Sequence, residues 1–338
     1  MIREAIGKLV SGQHLGSEEA AAAMAEIMDG EATAAQIGAF VTALRMKGET
    51  SAEIAGLAGV MRERATLVHH DGPVLDTCGT GGDGAQSFNV STAAAFVVAG
   101  AGVTVAKHGN RAISSSCGSA DVLEALGVKL ELGPEGVAKC LREAGIGFMF
   151  APLFHPSMRH AGPARREIGI RTVFNILGPL TNPARAEAQL LGVADARIAR
   201  QMAEVLAMLG SRHALVVHGS GGLDEIGLSG PTTVYEVRAG QAMCEYTIQP
   251  EDYGFAEAPL AAIRGGDAAA NALTLRRILQ GTEDGPKRDV VLLNAAAALV
   301  AADRAGDLAA GLRLAQTSIQ SGAALHKLHQ MVEVSHAA

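Results

Sequence analysis

Apolar residues recur at helical spacing from Arg3 to Thr66, as in Ile37, Phe40 and Leu44 and again in Ile54, Leu57 and Met61, with no alternating β-branched run among them. The spacing predicts a small helical domain. Near Val74 the texture changes. Short β-rich segments, Val74-Leu75-Asp76-Thr77 and Val103-Thr104-Val105, each lead into glycines and then into alanine-rich helical stretches. That alternation is expected of a parallel sheet with crossover helices. Further strands are expected over 146–150, 188–193 and 214–218, while 232–237 and 243–248 flank Gly240 in the manner of an antiparallel hairpin. Helical spacing returns over 271–279, 290–302 and 308–318. The expected fold is α/β: a small N-terminal helical domain over 1–68 and a larger α/β domain over 69–338 with a mostly parallel central sheet. The stretch 152–183 fits neither pattern, being rich in Pro, Arg and His with Gly178-Pro179 and Asn182-Pro183 as turn signals. It is expected to cross between the domains.

Composition narrows the function. The chain has 338 residues, 48% of them hydrophobic, enough for roughly two folded domains. Lys and Arg number 28 against 35 Asp and Glu, a net charge of −7, which argues against a general nucleic-acid surface because neutralising phosphates takes excess basic residues. Aromatic residues make up 3% with no Trp, too few for platforms that stack single-stranded bases. The cysteines Cys78, Cys117, Cys140 and Cys244 form no CxxC pair and no dense framework, as expected in a reducing cytoplasm. Residues 1–12 carry Arg3, Glu4 and Lys8 rather than an uninterrupted apolar signal. The longest apolar runs, 93–106 and 290–302, are shorter than the roughly 20 residues that span a bilayer. A cytoplasmic protein without nucleic-acid or membrane partners is the expectation.

Candidate chemistry begins with Asp76-Thr77-Cys78-Gly79-Thr80-Gly81-Gly82-Asp83-Gly84, between a strand and a helix expected to start near Asn89 with Ser91 and Thr92 in its first turn. Gly79, Gly81 and Gly84 satisfy GxGxxG, the dinucleotide pattern. That pattern also wants an acidic residue about 20 positions on, yet no Asp or Glu lies between Asp83 and Asp121. What remains is an anion cradle, in which small residues let backbone N–H groups approach phosphate at the positive end of a helix. A second basic loop, Lys107-His108-Gly109-Asn110-Arg111 followed by Ser114, Ser115, Ser116, Gly118 and Ser119, comes after the next strand. Two cradles imply a polyanionic ligand, and His108 receives no chemistry of its own.

Asp224-Glu225 lies just beyond the strand over 214–218, at the same carboxyl edge of the sheet as the glycine loops. Carboxylates facing phosphates need a cation between them, and Mg²⁺ prefers one or two carboxylates completed by phosphates and water. The set reads as a metal–diphosphate site. No Gly-x-Ser-x-Gly elbow or HExxH pattern appears, so neither a serine nucleophile nor zinc is expected.

Taken in order, Gly79-Thr80-Gly81-Gly82-Asp83, Asn89-Val90-Ser91-Thr92, Lys107-His108-Gly109-Asn110-Arg111, Gly118-Ser119-Ala120-Asp121, His155-Pro156, Arg165-Arg166, Gly169-Ile170-Arg171-Thr172, the run from Asn175 to Pro183 and Leu223-Asp224-Glu225 resemble the anthranilate phosphoribosyltransferases. The match runs through most of the chain. The resemblance implies a nucleoside phosphorylase/phosphoribosyltransferase-like fold in which a segment near 155–183 returns to the helical domain. It implies transfer of phosphoribose from 5-phosphoribosyl-1-pyrophosphate to anthranilate in tryptophan biosynthesis, by a homodimer joined through the helical domain. It assigns Gly79, Gly82, Asp83, Ser87, Asn89, Ser91, Thr92, Lys107 and Ser119 to the phosphoribosyl pyrophosphate, with Val90, His108, Gly109, Arg111 and Ser115 completing the two loops. Asn110 and Arg165 would hold anthranilate, beside Gly79. Ser91, Asp224 and Glu225 would hold magnesium, two ions per subunit. No residue is assigned as nucleophile or general base. Ser87 stands where the family often has Thr and keeps the hydroxyl; Ala112 stands where Ser or Thr is frequent. A pyrimidine nucleoside phosphorylase is the rival enzyme on the frame Arg111-x-Ile113 to Glu124, but it needs no metal–diphosphate carboxylates. A nucleic-acid-binding relative would need a basic groove, against the net charge and the retained Arg165, Asp224 and Glu225.

Overall fold

The computed structural model describes residues 1–112 and 116–338. Four helices come first: α1 (Ile2–Val10), α2 (Ser17–Met28), α3 (Ala34–Lys47) and α4 (Ser51–Glu63). Capping boxes start two of them, because a hydroxyl and an amide or carboxylate satisfy each other's free backbone N–H groups. Thr33 Oγ1 accepts from Gln36 N while Gln36 Oε1 accepts from Thr33 N, and Thr50 and Glu53 repeat the exchange.

Strands and helices then alternate: β1 (Leu75–Gly79), α5 (Val90–Gly100), β2 (Val105–Gly109), α6 (Ser119–Ala125), α7 (Pro134–Ala144) and β3 (Ile146–Phe150). The short α8 (Ala151–Phe154), α9 (Met158–Ile168) and α10 (Phe174–Leu177) occupy the stretch that fitted neither pattern. After it come β4 (Ala188–Gly192), α11 (Ala196–Met208), β5 (His213–Gly219), and the hairpin strands β6 (Thr232–Arg238) and β7 (Cys244–Ile248). The chain closes with α12 (Ala268–Leu279), α13 (Pro286–Ala301), α14 (Leu308–Gln320) and α15 (Ala323–His336).

The sheet order is β3-β2-β1-β4-β5-β6-β7, with β3 to β5 mutually parallel and β6 and β7 antiparallel. Chain order reverses between β1 and β4, so the ends of these two strands open the crevice where doubly wound folds bind ligands. Alternating side chains separate the faces: Leu190, Leu215 and Val217 join α5 and α13 in one core, while Leu191, Ala214 and Val216 join α11 and the N-terminal bundle in another. The second core includes Ala161 and Ala164 of α9, which packs against α2 and α3. The stretch between β3 and β4 thus travels back to the bundle, and Arg62 of α4 fastens it by donating to the Leu180 carbonyl, and to the end of α11 through the Leu209 carbonyl.

Two expectations shift. The strand expected over 103–105 lies over Val105–Gly109, so Lys107 and His108 belong to a buried strand rather than to a loop. The helical tail contains a further helix, α15, which the hydrophobic pattern did not disclose.

Candidate active site

At the crevice, β1 runs out at Gly79 beside the Asp224 carboxylate, and a Cβ at Gly79 would collide with Asp224 Oδ2. The next turn needs left-handed backbone: Gly81 has φ 65° and Gly82 φ 76°, conformations that are cheap only without a Cβ. Gly81 N donates to Asp224 Oδ2 at 2.7 Å. Beyond the turn, Asp83 Oδ1 accepts from Ala85 N, whereas its Oδ2 is buried without a hydrogen-bond partner. Ser87 follows in an isolated bridge with Arg264, and the Phe88 and Gly265 amides continue that seam.

Asn89 precedes α5, but its side chain does not cap the helix. It donates to the Cys117 carbonyl and accepts from Asn271 instead, which leaves the first turn open. Val90 is buried, Ser91 N donates to Glu225 Oε1 at 3.1 Å, and the Thr92 hydroxyl is buried without a partner. Lys107, 3% exposed, reaches across from β2 to donate to the Thr77 carbonyl and to Ser91 Oγ. Burial pushes its ammonium below the usual lysine range, with Asp76 the main opposing charge.

Asp224 and Glu225 are almost wholly buried. Burial, followed by the charge of Asp83, raises Asp224 to about 7; burial, followed by Asp224, raises Glu225 well above the carboxylate range. Three carboxylates therefore crowd one place with Lys107 as the nearby cation, and a divalent ion there would reverse the repulsion. Among the described residues no group of three or more His, Cys, Asp or Glu side chains is a ready-made metal site, so oxygens from a ligand would have to complete the shell. The unpartnered Asp83 oxygen and the buried pair fit magnesium held jointly with a diphosphate.

The second loop is less uniform than its sequence. Gly109 ends β2, and a Cβ there would strike Ser119 Oγ. Ser119 Oγ itself donates to the carbonyl of the exposed Asn110. Arg111 is taken up by the protein's own carboxylates: its guanidinium pairs with Asp121 and Glu124 and lies 5.6 Å from the centre of the Phe150 ring. The cradle expected of two basic side chains thus keeps only Lys107 toward the crevice. Ser115 lies outside the described residues.

His108 is buried with its ring 5.0 Å from that of His155, and Nε2 of each lacks a partner. Burial is the main cause that lowers them to about 3 and 4, so both rings are neutral at neutral pH. Arg165 of α9 stacks its guanidinium 5.0 Å from the centre of the Phe174 ring, and burial alone lowers it. It is a half-buried cation whose recorded contact is an aromatic face.

Three supports escaped sequence reasoning. Buried Asp76 accepts from Asn182 Nδ2 and from His108 N, and Asn182 also donates to the Ala106 carbonyl, which ties the returning segment to β1 and β2. Asn294 of α13 makes a two-way pair with the Ile226 backbone. Arg171 has no role by its sequence motif alone; its Nη2 donates to the Thr80 and Gly81 carbonyls of the glycine turn.

The chain matches the glycosyl transferase family in two parts, the helical bundle domain over residues 3–65 and the a/b domain over residues 71–325. The anthranilate phosphoribosyltransferase of Chloroflexus aggregans is 66% identical over 334 residues, 99% of this chain and 98% of the relative. The enzyme of the same name from Thermus thermophilus superposes with a TM-score of 0.92 at 47% identity, covering 98% of this chain and 99% of that one. The Saccharomyces cerevisiae enzyme in complex with PRPP and Mg also gives 0.92, at 29% identity, covering 100% and 98%. Sheet order, paired carboxylates at the switch point and full-length similarity agree, and the chain belongs to the anthranilate phosphoribosyltransferases.

Proposed function

We propose that the protein transfers the phosphoribosyl group of 5-phosphoribosyl-1-pyrophosphate to the amino group of anthranilate, giving N-(5-phosphoribosyl)anthranilate and pyrophosphate, in L-tryptophan biosynthesis. The carrying observation is the buried Asp224–Glu225 pair facing the glycine turn at the switch point. Gly79, Gly82, Asp83, Ser87, Asn89 to Thr92, Lys107 and Ser119 hold the phosphoribosyl diphosphate. Asn110 and Arg165 hold anthranilate, for which a guanidinium fork suits the carboxylate. Asp224, Glu225 and Ser91 would hold magnesium, two ions per subunit, which when bound offset the charge gathering on the leaving diphosphate.

In the reaction the C1′–O bond to pyrophosphate breaks with its electron pair leaving on oxygen, and the anthranilate nitrogen forms the new bond to C1′ through an oxocarbenium-like state. The proton passes from nitrogen to the neighbouring substrate carboxylate or to water. The chain's part is to orient the two substrates and stabilise charge.

The working unit is a homodimer through the helical bundle, residues 1–68 with the segment returning near 155–183; Val10 and Met46 there are 75% and 85% exposed. The place is the cytoplasm; no disulfide joins the four cysteines, and no described helix is long and apolar enough to cross a membrane.

Loss of anthranilate fluorescence on adding 5-phosphoribosyl-1-pyrophosphate and Mg²⁺ tests the reaction. Replacing Asp224 and Glu225 together by Ala should abolish most turnover and weaken its magnesium dependence at unchanged fold; full activity in that variant would overturn the metal assignment.

A further inference from the structure

Arg171 lies in the turn between α9 and α10, the same short stretch that carries Arg165, and its side chain crosses to the glycine turn of the α/β part. Nη2 donates to the Gly81 carbonyl at 3.1 Å and to the Thr80 carbonyl at 3.4 Å. The guanidinium lies so close over Gly82 that a Cβ at that position would run into it. These peptides are trans, and in a trans peptide the C=O and N–H point in opposite directions. A guanidinium nitrogen that holds the Thr80 and Gly81 carbonyls on one side must therefore turn the Gly81 and Gly82 N–H groups to the other. Gly81 N does point to the Asp224 carboxylate, at 2.7 Å, and Gly82 N has no acceptor among the described residues. The Gly81 N–H is thus taken by Asp224, and the Gly82 N–H beside it is left open to an anion.

We infer that Arg171 is a positioning residue for the diphosphate: by holding the carbonyls of Thr80 and Gly81 it keeps the Gly81 amide on the Asp224 carboxylate and the Gly82 amide aimed at the leaving group, from a segment rooted in the helical bundle. The inference rests on the reading of the crevice as a diphosphate site. Glycines at φ 65° and 76° hold no fixed orientation by themselves, so the turn needs an outside clamp if its amides are to be aimed before the ligand arrives. An arginine gives that clamp because its Nη2 carries two N–H donors held in a fixed direction by the planar guanidinium, so one nitrogen can hold both carbonyls.

The test is calorimetric titration of the full-length protein with inorganic pyrophosphate in the presence of Mg²⁺, and separately with anthranilate, in the wild type, Arg171→Gln and Arg171→Lys. Arg171→Gln should weaken pyrophosphate binding about tenfold, the scale of a lost charge-assisted hydrogen bond, while anthranilate binding stays within about twofold by the same scale. Its KM for 5-phosphoribosyl-1-pyrophosphate should rise with that for anthranilate unchanged. Arg171→Lys should recover part of the loss. Unchanged pyrophosphate binding in Arg171→Gln, an equal loss of both ligands, or complete recovery by Lys, which would make charge alone sufficient, overturns the assignment while leaving the site reading intact. Failure of the wild type itself to bind pyrophosphate with Mg²⁺ would remove the site reading and this inference with it.

Discussion

Arg165 and Gly82 show how single residues divide the work. Arg165 rests on Phe174 with burial as the sole influence lowering it, so it has a full charge to give an incoming carboxylate. Arg165→Ala should weaken anthranilate by roughly ten- to hundredfold, the worth of a charge-assisted hydrogen bond of about 1.5–3 kcal/mol, with phosphoribosyl pyrophosphate affinity nearly unchanged. Arg165→Lys should regain only part, lacking the fork. Ligand titrations of both variants decide, and a variant that lost the diphosphate and kept anthranilate would reverse the assignment. At Gly82, φ 76° costs a residue with a Cβ about 1–2 kcal/mol, and the new methyl would also displace the Arg171 guanidinium. Gly82→Ala should accordingly raise KM for phosphoribosyl pyrophosphate by roughly tenfold and leave that for anthranilate little changed; steady-state kinetics that show equal effects would count against a phosphate-specific turn.

Among the elements, those with plain periodicity were legible in the sequence: the helical character of the N-terminal domain though not its division into four helices, β3 residue for residue, and the β6–β7 hairpin around Gly240. Strand β2 was misplaced by two residues because Lys107 and His108 read as polar loop. A lysine can run through a buried strand when its ammonium finds the Thr77 carbonyl and Ser91, and an imidazole can when it stays neutral. Helix α15 was hidden because its buried face includes Ala324 and Ser335, too small or too polar to mark a stripe. In the site, the glycine turn and Asp224-Glu225 were readable from local chemistry, while the ion pairs of Arg111 with Asp121 and Glu124 and the Asp76–Asn182 bond depend on packing that local spacing does not encode. The His108–His155 contact, between β2 and the end of α8, has its own consequence for pH. Both rings titrate far below the ordinary imidazole value near 6.5, so between that value and about 4 the unfolded chain takes up protons that the folded one refuses. Stability should be fully present above pH 6.5 and fall by about 1.4 kcal/mol per pH unit for each histidine as pH drops through that window. Denaturant melts of the wild type and of a His108→Asn variant should diverge in slope there; parallel curves would show that the pair is not held neutral.

For the whole molecule, the sheet separates the core around α5 and α13 from the apolar clusters on its other face, and the crevice opens at the strand ends between them. The α5–α13 core grips the carboxylate loop directly. Residues Val290 to Ala301 of α13 are all buried, and in their midst Asn294, itself wholly buried, accepts from the Ile226 amide and donates to the Ile226 and Val290 carbonyls. The carboxylate loop is thereby stitched, one residue past Glu225, to a helix buried throughout residues 290–301. In deuterated water the Ile226 amide should be among the last to exchange, with a protection free energy equal to that of global unfolding, whereas the Gly82 amide, without an acceptor, should exchange early. Mass-spectrometric or NMR exchange that found Ile226 opening as readily as Gly82 would break this ranking. If the ranking holds, the anchor of the Asp224–Glu225 carboxylates cannot come loose until the protein as a whole does, and thermal inactivation should coincide with unfolding, with no earlier phase in which a folded chain has let this pair go.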